Sequence, residues 1–377
     1  MKKRNSVIDI MKGILILSVM FYHLIYRNQG SVLDEIIREF IYFGLPVFML
    51  LSGYFYCFSN EDVFGMFRRR MKQIVLNTCL ITGVLLILFG PYFMLVHGYT
   101  LRSWVNDVVT TYLRPELVAK IAPSFGETGQ LFNNLSPVWF MWTMAWATIV
   151  FYLVMYFVRK HTWMMGVSAV VLMIIGAVFY VKIPPQSWSI HLAPLYAGIM
   201  MLGAILGKYR GIETLCKIPM IPAVVIAVIG GFLHYQIFEK FGSDWLYLSI
   251  FRVDKDFNGI FTYLTVAIFI LEMFLGGFVL MVFARVIDKI KGCNKVLSWI
   301  GAHTYMILLL HCLFGGITAD VLHTYNKPGP NWYVVPLTAT VVVKSVITFI
   351  VSLAACSGVV FVLERMKRFR RKATQSK

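Results

Sequence analysis

The chain alternates between long apolar runs and short polar breaks. Ten runs have spanning length, near residues 8–28, 36–58, 73–98, 137–158, 163–182, 190–207, 218–238, 260–284, 297–319 and 333–363. A hydrocarbon layer about 30 Å thick is crossed by about 20 residues of α-helix, so each run predicts a membrane-spanning helix. Lys182-Ile-Pro-Pro-Gln-Ser-Trp separates the fifth and sixth runs, and its prolines suit a helix break rather than a helix interior. The last run is long enough to tilt, kink or pass beyond the bilayer. The pattern predicts an all-α, polytopic integral membrane protein of about ten transmembrane helices. Residues 1–363 form its transmembrane domain and residues 364–377 a basic cytoplasmic tail, with no appended soluble domain.

Composition agrees. Of 377 residues, 59% are hydrophobic and 14% charged, against roughly 25% charged in a soluble domain. A net charge of +17 raises the question of nucleic acid, and its distribution answers against it. With the N-terminus inside, 23 of the 35 Lys and Arg residues fall in inward segments and ten in outward ones. Lys12 and Lys344 lie within helices. This is the positive-inside bias of a multi-pass protein with both termini cytoplasmic, expected in a bacterial plasma membrane, and most of the excess charge is topological. Met1-Lys2-Lys3-Arg4 looks like the charged start of a signal peptide. Asp9 and Lys12 interrupt the apolar run that follows, and no small-residue cleavage site appears, so a retained first helix is expected.

The six cysteines all fall in helices or on the inner side, without CxxC or metal-like spacing, so free thiols and no metal are expected. Two outward segments are sizeable, Tyr99–Ser136 and Glu239–Gly259. Within the first, Trp104–Arg114 could lie at the interface as an amphipathic helix. The second mixes acids, bases and aromatics, suited to a polar ligand or to a solvated loop.

The first run carries the most chemistry. Asp9 stands one turn before Lys12, close enough for an i, i+3 pair, and His23 follows eleven residues later. Eleven steps of ~100° end about 20° past three full turns, so Lys12 and His23 share a face and stand roughly 16 Å apart along the axis. A histidine packed against a neighbouring helix is the plainer reading of His23, but intramembrane ionisable groups are functional candidates by default. Glu272 and Lys344 fall inside the eighth and tenth runs, where opposite charges at similar depth are cheaper paired than alone. A structural ion pair is the plain reading; a proton path or a substrate contact is the sharper one. His311 is either a packing or a site-lining group. His191 and His234 lie near helix ends and could meet interfacial water. Trp139, Trp142 and Trp146 suit an interface and packing set, and a sugar could stack on Trp139.

Five motifs, in order along nearly the whole chain, resemble the acyltransferase-3 family. They are Asp9-Ile-Met-Lys12-Gly…His23, Phe43-Gly-Leu-Pro46…Ser52-Gly53-Tyr54, the basic patch Arg68-Arg69-Arg70-Met-Lys72, Pro137-Val-Trp139-Phe140-Met-Trp142, and Ile300-Gly301-Ala-His-Thr304-Tyr305…His311. The resemblance implies an integral membrane enzyme that moves acyl groups, often acetyl from acetyl-CoA, onto extracytoplasmic carbohydrates. Two positions depart from the family pattern. Lys12 takes the place of the usual Arg, keeping charge but losing the planar fork. The usual Arg-x-x-Arg becomes either Arg69-x-x-Lys72 or Arg70-x-x-Gln73.

The residues support the same chemistry. Transfer from a thioester to a sugar hydroxyl needs a base for the hydroxyl proton, and imidazole can take that proton and return it to the leaving thiolate. His23 is assigned that role. Lys12, Ser52 or a backbone amide could stabilise the oxyanion, with Asp9 paired to Lys12. As a nucleophile Ser52 lacks a nucleophile elbow, and its small side chain suits helix packing. Arg68, Arg69, Arg70 and Lys72 sit on the cytoplasmic side, where the phosphates of acyl-CoA are met. Trp139, His311 and Glu272 are candidate contacts for the saccharide acceptor. No Walker-type loop suggests ATP. A transporter or flippase of a polar glycan is the main alternative, although inverted repeats and broken helix pairs are not apparent. A non-enzymatic scaffold would leave His23 and the ordered motifs unexplained.

Overall fold

In a computed structural model, residues 5–24, 43–58, 62–98, 100–102, 104–105, 138–183, 187–241, 260–322 and 339–375 are described. All regular structure among them is helical. The helices are α1 (Ser6–Leu24), α2 (Gly44–Tyr54) with a 3-10 turn over Phe55–Phe58, and α3 (Val63–Met71), which passes through a π-helix (Lys72–Leu76) into α4 (Asn77–His97). Next come α5 (Val138–Val158), α6 (Thr162–Lys182), a 3-10 turn over Ser187–Leu192, α7 (Ala193–Lys208), α8 (Gly211–Leu215) and α9 (Met220–Phe241). The chain continues through α10 (Ile260–Asp288), α11 (Cys293–Ala302), α12 (Thr304–Val321) and α13 (Ala339–Gln375).

Among the described residues, eight helices are long and apolar enough to cross a membrane, corresponding to the third to tenth apolar runs. The first run is helical over α1, and the second forms the shorter apolar stretch Gly44–Cys57. The protein is an all-α polytopic membrane protein. Apart from Trp104 and Val105, the expected interfacial helix over Trp104–Arg114 lies outside the described residues, as do most of both large outward segments.

Local signals set the helix ends. Asn5 Oδ1 accepts from the Val7 amide (3.1 Å) and Asp62 Oδ1 from the Gly65 amide (3.0 Å), capping the orphan donors of α1 and α3. Pro194 sits in the first turn of α7, where its missing N–H costs nothing. Hydroxyls inside the helices bond back to carbonyls one turn earlier: Ser18 to Ile14 (3.0 Å), Thr318 to Phe314 (2.7 Å) and Thr348 to Lys344 (2.9 Å). A polar group is thus satisfied without water.

The chain divides into two compact units. One contains α1, the end of α10 from Ala284, α11, α12 and α13. Its tightest packing is α1 against α11. A Cβ on Gly13 would strike the Leu297 carbonyl, and one on Gly301 would strike the Asp9 carbonyl, 2.6 Å from its carbon. Only glycine lets these two backbones approach so closely. Phe21 and Phe349 add an edge-to-face contact at 6.0 Å, and the Ser352 hydroxyl donates to the His311 carbonyl at 2.8 Å.

The other unit contains residues 38–132 and 136–283. Its core is α7, buried along most of its length and packed on α2, α5 and α6. Gly53, Gly203 and Gly207 bring α2 and α7 into backbone contact, each where a Cβ would meet a carbonyl oxygen of the other helix. Tyr54 closes this crossing by donating its hydroxyl to the Glu213 carboxylate.

Candidate active site

In α1 the expected pair is formed. Lys12 Nζ donates to Asp9 Oδ1 at 3.1 Å, with Asp9 buried and Lys12 half-buried. Asp9 also marks the crossing with α11, because its carbonyl lies against Gly301 of the late motif. The first and last motifs therefore meet through backbone packing. The helix runs unbroken from Lys12 to His23, so the shared face read from their spacing stands in the backbone. The His23 side chain lies outside the described residues.

The basic patch differs from its sequence reading. It was expected before a helix beginning at residue 73, yet Arg68, Arg69 and Arg70 form the last turn of α3 and Lys72 opens the π-helix. Neither Gly nor Pro falls between residues 66 and 82, so nothing interrupts the helix before it enters the apolar run. Arg68, Arg69 and Lys72 are exposed, whereas Arg70 is half-buried. The Arg70 Nη2 donates to Ser52 Oγ at 3.0 Å, and Nη1 approaches Gln73 Oε1 at 3.5 Å. The Tyr152 side chain on α5 also lies within electrostatic reach of the guanidinium. The second and third motifs are thus joined through Ser52 and Arg70.

Three further candidates are placed separately. Glu272 is buried on α10, with its Oε1 3.6 Å from His234 Nδ1 on α9, and Phe43 packs edge-on against that imidazole at 5.5 Å. His234 therefore faces a carboxylate and not interfacial water, as α9 continues to Phe241 and leaves the imidazole inside the helix. His191 is also buried, because the 3-10 turn over Ser187–Leu192 carries it inward. His311 is fully buried on α12. Its Nδ1 lies 3.0 Å from the Ile307 carbonyl and 2.9 Å from that of Leu308, so this nitrogen carries the proton; Nε2 is 3.3 Å from Cys312 Sγ. The Trp139 backbone is in the first turn of α5, and its side chain lies outside the described residues.

Two contacts escaped the sequence reading. Tyr152 sits in an apolar run rich in aromatics, and its one distinguishing sign was a hydroxyl that a membrane helix must satisfy. His303, between α11 and α12, places Nδ1 2.7 Å from the Trp299 carbonyl and Nε2 3.0 Å from Glu364 Oε1 on α13. Glu364 is the one acid in the basic tail, which was a legible hint.

Ion pairs and a hydrogen-bonded guanidinium kept among apolar helices are functional candidates by default. A family model described as an acyltransferase domain matches residues 5–356, nearly the whole chain. The chain belongs to the acyltransferase-3 family and is an integral membrane acyltransferase. No curated protein and no solved structure matches it.

Proposed function

We propose that the protein transfers an acetyl or other short acyl group from acyl-CoA to a hydroxyl of a cell-envelope or exported saccharide, as a multi-pass protein of a bacterial plasma membrane. The observation that carries this reading is the Asp9–Lys12 pair, set three turns before His23 in one unbroken helix. His23 takes the proton of the saccharide hydroxyl as its oxygen bonds to the thioester carbon. The C–S bond then breaks, and the same proton passes to the departing CoA thiolate. Asp9 holds the Lys12 ammonium in place, and Lys12, Ser52 or a backbone amide steadies the oxyanion.

The donor is assigned to the basic patch, supported by three exposed cations clustered at one helix end, at Arg68, Arg69 and Lys72. The acceptor is assigned to Trp139, His311 and Glu272. The test is chemical. Cell-envelope glycans from cells with and without the protein are compared by mass and by base-labile ester content. Loss of ester in its absence, restored by the parent protein and not by His23→Gln, is expected. Unchanged ester content would overturn the saccharide acceptor.

A further inference from the structure

Four cations lie within five residues at the end of α3, yet only one is drawn inward. Arg70 reaches Ser52 on α2 and Tyr152 on α5, while its neighbours point to the surface. All its polar partners are neutral: the Ser52 hydroxyl at 3.0 Å, the Gln73 amide oxygen at 3.5 Å and the Tyr152 hydroxyl. Among the described residues no carboxylate pairs with it, and the neighbouring Arg69 adds a like charge. Removing a guanidinium from water is costly unless an anion compensates it.

We propose that Ser52 and Tyr152 are positioning residues that hold the Arg70 guanidinium as a receptor for a phosphate of the acyl donor. The inference rests on the acyl-CoA reading above. A guanidinium has five N–H donors in a fixed fork. Three neutral partners take at most one each, which leaves at least two for phosphate oxygens, enough for the bidentate geometry that arginine favours. Because the holding hydroxyls come from two other helices, the fork cannot swing with α3 alone. It is arranged before the donor arrives, which lowers the ordering cost of binding. The π-helix begins two residues later, and such turns recur at functional sites. The proposal also separates duties within the patch: Arg70 reads phosphate at a fixed point, while Arg68, Arg69 and Lys72 attract it from the surface.

The experiment compares two thioesters that differ in phosphate content. Acetyl-CoA and S-acetyl-pantetheine, which lacks the nucleotide phosphates, are titrated calorimetrically into the purified full-length protein in detergent. The parent should prefer acetyl-CoA. Arg70→Gln should cut that preference roughly 10- to 100-fold, the range for a hydrogen bond to a charged group, and leave acetyl-pantetheine binding alone. Tyr152→Phe and Ser52→Ala should each cut it roughly 2- to 10-fold, as for one neutral hydrogen bond. Ser52→Thr keeps the hydroxyl and should keep the preference. A parental preference in Arg70→Gln would overturn the proposal and is the result expected if Arg70 instead holds a lipid headgroup phosphate. Unchanged preference in Tyr152→Phe and Ser52→Ala, or equal losses for both thioesters, would overturn the positioning role while leaving the donor reading intact. Failure of the parent to bind acetyl-CoA would overturn both.

Discussion

Lys12 Nζ and Asp9 Oδ1 meet at 3.1 Å, one turn apart on α1, at the level where Gly301 brings α11 against the Asp9 carbonyl. The pair thus belongs to a crossing that fixes its carboxylate from the backbone side. Lys12→Met should abolish transfer at equal protein level, whereas Lys12→Arg, which keeps the charge, should stay within a few-fold of the parent. Acyl transfer in isolated membranes is the measurement. A Lys12→Met variant with parental activity would remove Lys12 from the site.

For His23 the expected loss is larger. A positioned general base contributes ~10²–10⁴-fold, and Gln keeps a polar group of similar reach without basicity. His23→Gln should therefore lose transfer by that factor while still binding acyl-CoA. Activity within a few-fold of the parent, at normal thermal stability, would end the assignment.

The glycine contacts predict stability rather than chemistry. Gly301→Ala puts a methyl group onto the Asp9 carbonyl, and overpacking of this kind costs typically ~1–3 kcal/mol. Gly166→Ala, with no atom within 4 Å of its Cβ, is the matched control and should be neutral or slightly stabilising. Thermal unfolding in detergent separates the two. Equal melting temperatures would mean that α1 and α11 do not pack so tightly.

Glu272 and His234 should behave as a unit. Either alanine substitution alone leaves a buried polar group facing its lost partner, a mechanism behind large destabilisation. The double alanine variant should cost less than the sum of the singles, by roughly 0.5–3 kcal/mol for groups in contact. Strict additivity would show that the two are not coupled.

Orientation is checked by thiol labelling with a membrane-impermeant reagent, in a background where exposed Cys293 is replaced. Cysteines at Asp107 and Asp254 should react from outside. Cysteines at Arg69 and Lys291 should react only after the membrane is opened. Labelling of position 69 in intact cells would reverse the assigned topology.

Hydropathy alone made the helices legible, because a bilayer demands long apolar runs wherever the chain crosses it. The spacing of Asp9, Lys12 and His23 was legible for the same reason: within one helix, sequence separation is geometry. Contacts between helices were not. Ser52 and Arg70 are 18 residues apart, but Tyr152 is 82 residues beyond Arg70, and no periodicity links them. His234 was misplaced for a related reason. Its position near the end of an apolar run suggested water, and only the neighbouring helix supplied Glu272. The basic patch was left outside the third helix because hydropathy ends a span at the first charges, although arginine and lysine are good helix formers.

The π-helix at Lys72–Leu76 can be viewed as an α-helix that has taken in one surplus residue. One residue is worth about 100° of rotation, so the surplus uncouples the phase of α3 from that of α4. Arg70 can turn toward Ser52 and Tyr152 while the span beyond it presents Ile87, Leu88 and Leu95 outward. Deleting a single residue there would rotate one half against the other, and the chain could then satisfy its lipid-facing side or its guanidinium, but not both.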